Sequence, residues 1–484
     1  MRKGLSKSRL MSYLQCPKRL WLEVHRPDLA EVSPQSESAF QIGHQVGAIA
    51  QRLYDRGHGV HIEYDSGLRK ALERTTALLG DPEADPLFEA TFEREGILVR
   101  LDVLQGRGSD ARVVEVKAAT SVKPEYVSDC AIQAWVIEAS HVRPKAIVLS
   151  HINNQFVYAD GGRYDGLLTE VDITADVVPV AVQVPEWTAD AQLVLQDDEP
   201  TVTVGPHCKA PYECPFRSHC WPKVDYPLDD LPGLGKKLVE LVACGYGDVR
   251  DVPEHLLKGA DQLRVLRLTQ RGKAELLPGS KAELAALAWP RYYLDFETIS
   301  FPVPIWAGTR PYQQLPFQWS LHIESRPGQL DHAEFLDVSG APPMRAAAEA
   351  LLAAIGPNGP VLMYTGFERQ CLKILGDFCP DLKAQLDVLA LRLVDLHPIV
   401  KRNYYHPDMH GSWSIKAVLP TLAPDMDYEQ LEGIQEGMAA QRAYLEAIAS
   451  GTVLPRRHQL RDQLLAYCQF DTLAMVRVTE MLGK

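Results

Sequence analysis

The chain has 484 residues, of which 46% are hydrophobic and 23% are charged, and it carries a formal net charge of −13. This length and composition exclude a disordered chain and indicate a globular protein of several domains. The negative charge argues against a protein that coats nucleic acid, but it allows a nuclease, because metal ions offset the carboxylates of a nuclease site.

The first residues, MRKGLSKSRLMSYL, are basic but have neither the apolar segment nor the cleavage site of a signal peptide. No apolar stretch is long enough for a membrane span. We therefore predict a cytoplasmic protein without a membrane partner. In a reducing cytoplasm the nine cysteines are expected to be thiols or metal ligands rather than disulfides.

The sequence patterns predict a multidomain α/β protein with three regions. Residues 1–225 begin with helical patterns and continue with strand-like and mixed segments, whereas residues 226–288 are short and helical. Residues 289–484 open with the strand-like RYYLDFET and continue with long helical patterns. Proline and glycine in WPKVDYPLDDLP and LLPGSKAEL are typical of boundaries between such regions.

In the first region, SKSRLMSYLQCPKRLWLEV predicts a helix, and ILVRLDVL and RVVEVKAA predict the two strands of a hairpin. Asp102 lies at the end of the first strand, and alternation places Glu115 and Lys117 on one face of the second. These side chains can hold a divalent metal and orient a water molecule toward a phosphodiester. An exposed ion pair on a solvated strand is the alternative, and spacing alone favours it.

A group of cysteines lies farther along the chain, in HCKAPYECPFRSHC, residues 207–220. Cys208, Cys214 and Cys220 are one thiol short of a closed metal site. Soft thiolates select zinc or an iron–sulfur cluster, so the identity of the fourth ligand matters.

These motifs, in this order over about residues 5–222, resemble the RecB-like branch of the PD-(D/E)xK nuclease fold. Its pattern has a helix with Cys-Pro, a Gly-x-x-x-His helix, an Asp, an ExK, a Gln on a helix and three cysteines. The resemblance implies a Mg²⁺- or Mn²⁺-dependent site formed by Asp102, Glu115, Lys117 and Gln133. It also implies that Cys16, in the matching Cys-Pro, joins the three cysteines on a [4Fe–4S] cluster, as in nucleases of the AddB and CRISPR-adaptation kind.

Two features depart from that pattern. The cysteine trio has a longer first gap than the usual C-x2-C, so zinc in place of the cluster stays open. FQIGHQVGAIA has Gly47 where the pattern places its histidine, and His44 lies about one helical turn earlier. Whether His44 is a substitute metal ligand or an ordinary helix residue also stays open.

In the middle region, LPGLGKKLVELVACGYGDVRDVPE resembles a helix-hairpin-helix element. Gly233 and Gly235 would let backbone N–H groups approach a phosphate, beside Lys236 and Lys237. A plain α-helical linker is a nearly equal alternative. The sequence has no Walker A motif, so a helicase that works with this protein would be a separate chain.

The last region carries four acids on separate predicted elements. Asp295 and Glu297 share one face of the strand in RYYLDFET. Glu368 starts a helix in VLMYTGFERQCLKIL, and Tyr467 and Asp471 are i and i+4 neighbours in LLAYCQFDTLAMV. Four such carboxylates suit two divalent metals that hold the attacking and leaving oxygens of a phosphodiester. Unrelated surface acids are disfavoured, because a buried strand rarely carries two acids without a partner.

This set strongly resembles the DnaQ-like exonucleases of the RNase H fold over about residues 290–480. The resemblance implies a 3′–5′ exonuclease in which the four acids hold Mg²⁺ or Mn²⁺ and Tyr467 orients the attacking water. Thr365 and Glu368 replace the usual Asn and Asp of the second motif. Asp395, in LRLVDLHPIV, is a rival for the position of Glu368.

The order of the three regions resembles a prokaryotic protein family with the same architecture. It implies a metal-dependent nuclease with two active sites that hydrolyses DNA, as single strands or at ends, in repair, recombination or defence. One alternative is an iron–sulfur scaffold that grips nucleic-acid ends with one or both sites silent. Another is an RNA-processing 3′–5′ exonuclease, because nothing in the sequence reads a 2′-hydroxyl.

Overall fold

A computed structural model describes residues 5–31, 34–55, 57–64, 67–81, 83–221 and 223–484. The chain is a mixed α/β protein that divides into two compact units. One unit is Met1–Trp221 with Phe301–Tyr312, and the other is Pro222–Ser300 with Gln313–Lys484. Within the described ranges, no helix combines the length and the apolar character needed to cross a membrane.

The division differs in detail from the three predicted regions. The chain divides at residue 221, where the sequence placed a boundary at residue 225. Residues 226–288, predicted as a separate linker, form part of the second unit. Phe301–Tyr312, predicted within the last region, belongs to the first unit.

The first unit is built on a six-stranded sheet. Its helices are Lys7–Gln15 (α1), Pro17–His25 (α2), Pro34–Tyr54 (α3), Leu68–Leu79 (α4), Pro124–Glu138 (α5), Thr174–Ala181 (α6), Val184–Val194 (α7) and Arg217–Cys220 (α8). Its strands are Val60–His61 (β1), Leu87–Arg94 (β2), Ile97–Gln105 (β3), Arg112–Lys117 (β4), Ala146–Ile152 (β5) and Leu168–Asp172 (β6). The strands lie in the order β1-β2-β3-β4-β5-β6, and β1–β2 and β4–β5 are parallel.

The centre of this sheet follows from local sequence. Glu95 and Gly96, with φ of 53° and 82°, form the turn between β2 and β3, as in tight hairpins whose central residues have positive φ. β3 and β4 pair antiparallel with Leu104 opposite Val113, which confirms the predicted hairpin strands. Helix α5 packs against β2 and β3 and buries Ile132 in the main apolar core.

The predicted N-terminal helix is two helices that meet at Cys16. Ser6 caps α1 by accepting a hydrogen bond from the Arg9 N–H at 3.3 Å. Pro17 begins α2, and a proline disfavours the helical conformation in the residue before it. Cys16 is accordingly extended, with φ −165° and ψ 119°, so its thiol lies at the junction of α1 and α2.

Phe301–Tyr312 follows the first strand of the second unit but packs within the first. The Tyr158 N–H donates to the Thr309 carbonyl at 3.0 Å, and the Tyr164 hydroxyl donates to the Pro304 carbonyl at 3.0 Å. The Tyr312 hydroxyl donates to the carbonyl of Ala118. This last contact adjoins the end of β4.

The second unit has a five-stranded sheet and a small two-stranded one. Its helices are Lys237–Ala243 (α9), Ala260–Arg271 (α10), Gly279–Ala285 (α11), Met344–Ala354 (α12), Phe367–Phe378 (α13), Lys383–Ala390 (α14), Leu396–Asn403 (α15), Ile415–Leu422 (α16), Gly437–Ile448 (α17) and Leu454–Leu482 (α18). Its strands are Glu275–Leu276 (β7), Arg291–Ile299 (β8), Leu315–Arg326 (β9), Gln329–Leu336 (β10), Val361–Met363 (β11), Leu393–Asp395 (β12) and Tyr404–Tyr405 (β13). The larger sheet has the order β10-β9-β8-β11-β12, with β8, β11 and β12 parallel to one another.

Strand β8 and helix α18 form the centre of the second unit. β8 is buried along nearly its whole length, although it carries two acids. α18 packs against β8 and β9 and buries Leu460, Leu464 and Cys468 on one stripe. This confirms the amphipathic helix predicted for LLAYCQFDTLAMV.

The middle segment forms only part of the predicted helix-hairpin-helix. Gly233 and Gly235 have φ of 67° and 52°, a conformation that favours glycine, and α9 follows them. The element before the glycines is a 3₁₀ turn, Leu228–Asp230, and the element after α9 is another, Val249–Asp251. The segment packs within the second unit, where β7 pairs with β13.

Candidate functional site

Three of the predicted acids meet in the second unit. Asp295 and Glu297 lie two residues apart on β8, so alternation gives them one face, and α18 brings Asp471 to that face. Their carboxylate oxygens lie within 4.8 Å of one another. Among the described residues this is the only group of three or more His, Cys, Asp or Glu side chains that approach so closely.

Glu368, the second residue of α13, lies at the edge of this group. Its side chain is 1% exposed, and its Oε2 atom has no hydrogen-bond partner in the structure. Burial raises the pKa of Glu368 to about 8, and the nearby carboxylates of Asp395 and Asp471 also raise it. A buried carboxylate oxygen without a partner is costly, so this position suits a cation.

The rival acid, Asp395, has a different role. Its Oδ1 atom accepts hydrogen bonds from the Thr365 and His397 N–H groups, each at 2.9 Å. Asp395 thereby caps helix α15 and fixes the segment before α13. The structure therefore brings Glu368 to the acidic group and leaves Asp395 at a helix cap.

The carboxylates of Asp295, Glu297 and Asp471 are buried close together, and their negative charges repel one another. Burial raises the pKa of Asp295 well above its ordinary value, and Asp471, Glu368 and Glu297 raise it further. Burial and Asp471 likewise raise the pKa of Glu297, and burial raises the pKa of Asp471 to about 6. Divalent cations relieve such repulsion, so these residues fit a metal centre.

Two further side chains surround Tyr467 and Asp471. The Tyr428 hydroxyl donates to Asp471 Oδ1 at 2.5 Å. The Lys416 ammonium donates to the Tyr467 hydroxyl at 3.0 Å and lies 4.9 and 5.0 Å from the ring centres of Tyr428 and Tyr467. Sequence reasoning missed Tyr428, which lies in a 3₁₀ turn without any motif.

Lys416 is the second residue of α16, and two serines lie just before that helix. Ser414 caps α16 by accepting from the Ala417 N–H at 3.3 Å, and Ser412 accepts from the Ser414 N–H at 3.2 Å. The serines are thus capping residues. Lys416 is the member of the segment that reaches the acidic group, where its charge lowers the pKa of Asp471.

A buried polar network holds α18 in register behind the acids. The Thr472 hydroxyl lies 2.7 Å from Ser320 Oγ and 2.8 Å from His322 Nδ1, both on β9. Gln318 Nε2 donates to the Leu464 carbonyl at 2.7 Å, and the Cys468 thiol lies 3.5 Å from Asp295 Oδ2. These contacts fix the rotation of the helix that presents Asp471.

The predicted residues of the first unit also come together. Glu115 is 3% exposed, and its Oε2 accepts from Gln133 Nε2 at 2.6 Å while its Oε1 accepts from Lys117 Nζ at 2.6 Å. The Val116 N–H donates to Asp102 Oδ2 at 2.7 Å, which holds Asp102 across the hairpin from Glu115. We call Asp102, Glu115, Lys117 and Gln133, with their two partners described next, the hairpin site.

The two partners are Lys7 and Asp129, which sequence reasoning missed. Lys7 Nζ lies 3.1 Å from Glu115 Oε1 and 2.9 Å from Asp129 Oδ1. Lys117 Nζ lies 2.6 Å from Asp129 Oδ2. Asp129 precedes Gln133 by one helical turn on α5, a spacing that could have indicated it. Lys7 gave no such signal, because α1 reaches the site through tertiary packing.

Two ammonium groups offset much of the negative charge of the hairpin site. Burial by itself would raise the pKa of Glu115, but the ammonium groups of Lys117 and Lys7 lower it overall. Burial and the Glu115 carboxylate raise the pKa of Asp102 to about 8. Glu115 and Asp129 thus have two ammonium counter-ions, in contrast to the acids of the second unit.

The structure does not bring His44 into the hairpin site. Its ring is exposed on α3 and packs edge-on against Phe40 at 4.3 Å. The inward side of α3 carries Val46, which belongs to an apolar cluster against which Val116 packs, and Val116 points to the face of β4 opposite Glu115. The structure therefore places His44 on the exposed side of α3.

The four predicted cysteines line one small cavity in the first unit. None of them forms a disulfide, and Cys16 and Cys208 are buried. Burial raises the pKa of Cys16, and burial raises the pKa of Cys220 to about 11, with additional contributions from the other three sulfurs. Because these sulfurs affect one another, they form a local group despite their distance in sequence.

The junction at Cys16 is tied directly to the cysteine trio. Gln15 Nε2 donates to the carbonyls of His207 and Tyr212, both at 2.6 Å. On the other side, Lys18 and His219 both contact Glu199, at 2.7 and 3.0 Å. These contacts hold the start of α2 against the segment that carries the trio.

Comparisons with known proteins found a family model and solved structures that resemble part of the chain. A family described as a domain of unknown function (DUF2779) matches residues 292–414, a stretch that contains Asp295, Glu297 and Glu368 but ends before Tyr467. The crystal structure of SSO0001 is similar at 16% identity, covering 46% of this chain and 87% of that chain with a TM-score of 0.22. No curated protein resembles the chain closely enough to count as a match.

Proposed function

We propose that the protein is a metal-dependent nuclease with two active sites that hydrolyses DNA. The observation that carries the proposal is the buried acidic group of the second unit, in which Asp295, Glu297 and Asp471 converge within 4.8 Å. Glu368 adds a buried carboxylate oxygen that has no partner in the structure. Such an excess of buried negative charge needs cations, and paired divalent cations are the usual basis of phosphodiester hydrolysis by carboxylates.

In this proposal the second unit is a DnaQ-like 3′–5′ exonuclease domain of the RNase H fold. The four acids would hold Mg²⁺ or Mn²⁺, which supplies electrostatic stabilisation for the charge that develops on the phosphate. The Tyr467 hydroxyl would orient the attacking water, because it lies one helical turn before Asp471. Lys416 donates a hydrogen bond to that hydroxyl at 3.0 Å. This contact would fix the orientation of the hydroxyl.

The first unit is, in the same proposal, a RecB-like PD-(D/E)xK nuclease domain. The support is the contact of Lys117 and Gln133 with Glu115 and the placement of Asp102 across the hairpin. Asp102 and Glu115 would hold a divalent cation, and Lys117 would orient the nucleophile. This unit has a second candidate role as a nucleic-acid-binding module, because its carboxylates already have two ammonium partners and His44 lies elsewhere.

We propose a [4Fe–4S] cluster on Cys16, Cys208, Cys214 and Cys220. The support is the small cavity in the first unit that all four cysteines line. A cluster there would cross-link the start of α2 to the end of the first unit.

The direct experiment incubates the purified protein with end-labelled single- and double-stranded DNA and RNA, with Mg²⁺, Mn²⁺ or EDTA. We expect DNA to be hydrolysed with either metal and to stay intact in EDTA. Asp102→Ala and Asp295→Ala variants assign the products to the two sites. If folded, metal-saturated protein leaves all four substrates intact, the proposal is refuted. If it cleaves RNA alone, RNA and not DNA is the substrate.

A further inference from the structure

An open cavity of about 420 Å³ runs along α1 to the hairpin site. Its lining includes Lys7, Ser8, Lys117, Asp129 and Tyr212. The side chains of Lys7 and Lys117 are 20% and 22% exposed, and both contribute to the lining of the cavity. A cavity with two ammonium groups, a hydroxyl and an aromatic ring suits a phosphate-bearing nucleotide.

The ammonium of Lys7 would repel a divalent cation bound by Glu115 and Asp102. Glu115 Oε1 accepts from Lys117 at 2.6 Å and from Lys7 at 3.1 Å, so one carboxylate oxygen already faces two positive charges. A metal ion held by Glu115 and Asp102 would add further positive charge at that oxygen. Like charges at this distance in a buried site repel strongly, so metal binding requires one ammonium to leave.

Lys7 is the ammonium that can leave more easily. Lys117 projects from the sheet and makes two contacts of 2.6 Å, with Glu115 and Asp129. Lys7 makes longer contacts of 3.1 and 2.9 Å with the same two residues, from the first residue of α1. Its long side chain reaches the cavity without any change in the sheet.

We propose that Lys7 makes metal binding at the hairpin site depend on nucleic acid. Without a substrate its ammonium neutralises Glu115 and Asp129 and weakens the binding of a divalent cation. A phosphate in the cavity draws the ammonium away from Glu115, and the carboxylate becomes available to the metal. The proposal rests on the proposed nuclease function for its ligand, and it follows that substrate and metal bind with positive coupling.

Lys416, the lysine near the acids of the second unit, differs from Lys7 in its partners. Lys416 directs its ammonium to the Tyr467 hydroxyl and to the Gln435 carbonyl, at 3.0 and 2.8 Å, rather than to a carboxylate. That site is therefore expected to bind metal without a substrate. The two sites then differ in their order of binding: only the hairpin site needs its substrate before it binds metal tightly.

The test measures Mn²⁺ binding by electron paramagnetic resonance of the free ion, in an Asp295→Asn, Asp471→Asn background that weakens the second site. Lys7→Met removes the charge and keeps the length of the side chain, so we expect Mn²⁺ to bind more tightly by on the order of tenfold. Lys7→Arg keeps the charge and is expected to leave the affinity low. Lys70→Met, an equal charge change at an exposed position of α4, is the matched control and should change nothing.

A second experiment repeats the Mn²⁺ measurement with single-stranded DNA or RNA oligonucleotides, in Ca²⁺-free buffer and with the hairpin site intact. We expect an oligonucleotide to tighten Mn²⁺ binding in the parent and to have little effect in Lys7→Met. Lys7→Gln, which can still donate hydrogen bonds to Glu115 and Asp129, replaces Lys7→Met if the latter does not fold.

The outcomes separate the inference from the proposed function. Unchanged or weaker Mn²⁺ binding in both neutral variants, with thermal unfolding like that of the parent, would overturn the role of Lys7. Tighter binding in these variants without any response of the parent to DNA or RNA would instead overturn nucleic acid as the ligand, and substrate dependence with it. Tighter binding together with loss of the oligonucleotide response supports the inference.

Discussion

Thr365 and Glu368 differ from the exonuclease pattern predicted from the sequence, and their local conformations explain what they do. Thr365 has φ of 78°, a conformation that asparagine adopts more readily than a β-branched residue. The Asp395 carboxylate stabilises it by accepting from the Thr365 N–H. Glu368 is one methylene longer than aspartate and extends from α13 into the buried acidic group. Strain of this kind is typical of functional sites.

The hydroxyl of Tyr467 is expected to position water without holding metal. We predict that Tyr467→Phe slows hydrolysis of single-stranded DNA about a hundredfold, the usual contribution of such a group, with Mn²⁺ affinity unchanged. Single-turnover kinetics and Mn²⁺ titration in an Asp102→Ala background measure the two effects. Tyr444→Phe is the matched control, because that buried hydroxyl has no hydrogen-bond partner among the described residues. Equal rates for the two variants would remove Tyr467 from the mechanism.

The crowded acids predict an unusual dependence of stability on pH in metal-free protein. Folding raises the pKa of Glu368 from 4.5 to about 8 and that of Asp471 from 3.8 to about 6. Between about pH 4.5 and 8 the folded state keeps a proton that the unfolded chain has released. The free energy of unfolding in EDTA therefore falls as the pH rises, by at most about 1.4 kcal/mol per pH unit for each such group.

Urea unfolding of the protein in EDTA at a series of pH values measures this dependence. Glu368→Gln stays neutral in both states and is expected to flatten the slope, and saturating Mg²⁺ should also reduce it. Stability that rises with pH over this window, or an unchanged slope in Glu368→Gln, would contradict the assignment of these acids to one crowded site.

The residues found from sequence and those missed differ in a physical way. Asp295, Glu297, Tyr467 and Asp471 follow strand and helix periodicities, which depend on local geometry alone. Tyr428, Lys7 and Asp129 enter through tertiary packing or a turn, for which one sequence contains little signal. The sequence left the role of His44 open because helix α3 had two faces available, and the burial of Val46 in an apolar cluster shows which face is turned inward.

At the scale of single elements, the break between α1 and α2 has a consequence for the thiols. The sequence SKSRLMSYLQCPKRLWLEV predicts one helix, but Pro17 ends it and leaves Cys16 extended at the junction. Gln15 then reaches the carbonyls of His207 and Tyr212, which places the junction beside the cysteine trio. A continuous helix would have held Cys16 within its regular turns.

A cluster at this junction predicts a defined metal content. Protein purified without oxygen should be brown and contain iron and sulfide in equal amounts, because four thiolates are the usual ligands of a [4Fe–4S] cluster. Cys16→Ser should lose most of the iron and lower the unfolding temperature of the first unit, since the cross-link is lost. Iron and sulfide analysis with thermal unfolding measures both effects.

Cys244→Ser, at an exposed cysteine of the second unit, is the matched control and should keep its iron. One zinc ion per chain with no iron would contradict the cluster. Full iron content in Cys16→Ser would show that the fourth ligand is another residue.

At the scale of the whole molecule, the mixed α/β class and the strands and helices that carry the acids could be predicted, because each has a clear hydrophobic period. The assignment of Phe301–Tyr312 could not. The segment FPVPIWAGTRPY is an irregular stretch after β8, and its membership of the first unit depends on hydrogen bonds with Tyr158 and Tyr164. Such long-range contacts leave no periodic signal in sequence.

The most direct test of the account follows 5′-labelled single-stranded DNA with Mn²⁺ in an Asp102→Ala background, where the second unit acts alone. If the acidic group is an exonuclease site, the products form a ladder shortened from the 3′ end, and this ladder disappears when Asp295→Ala is added. Asp331→Ala, an exposed aspartate of β10 in the same sheet, should leave the ladder unchanged. Undiminished 3′ shortening by the Asp102→Ala, Asp295→Ala protein would contradict the assignment of hydrolysis to the acidic group.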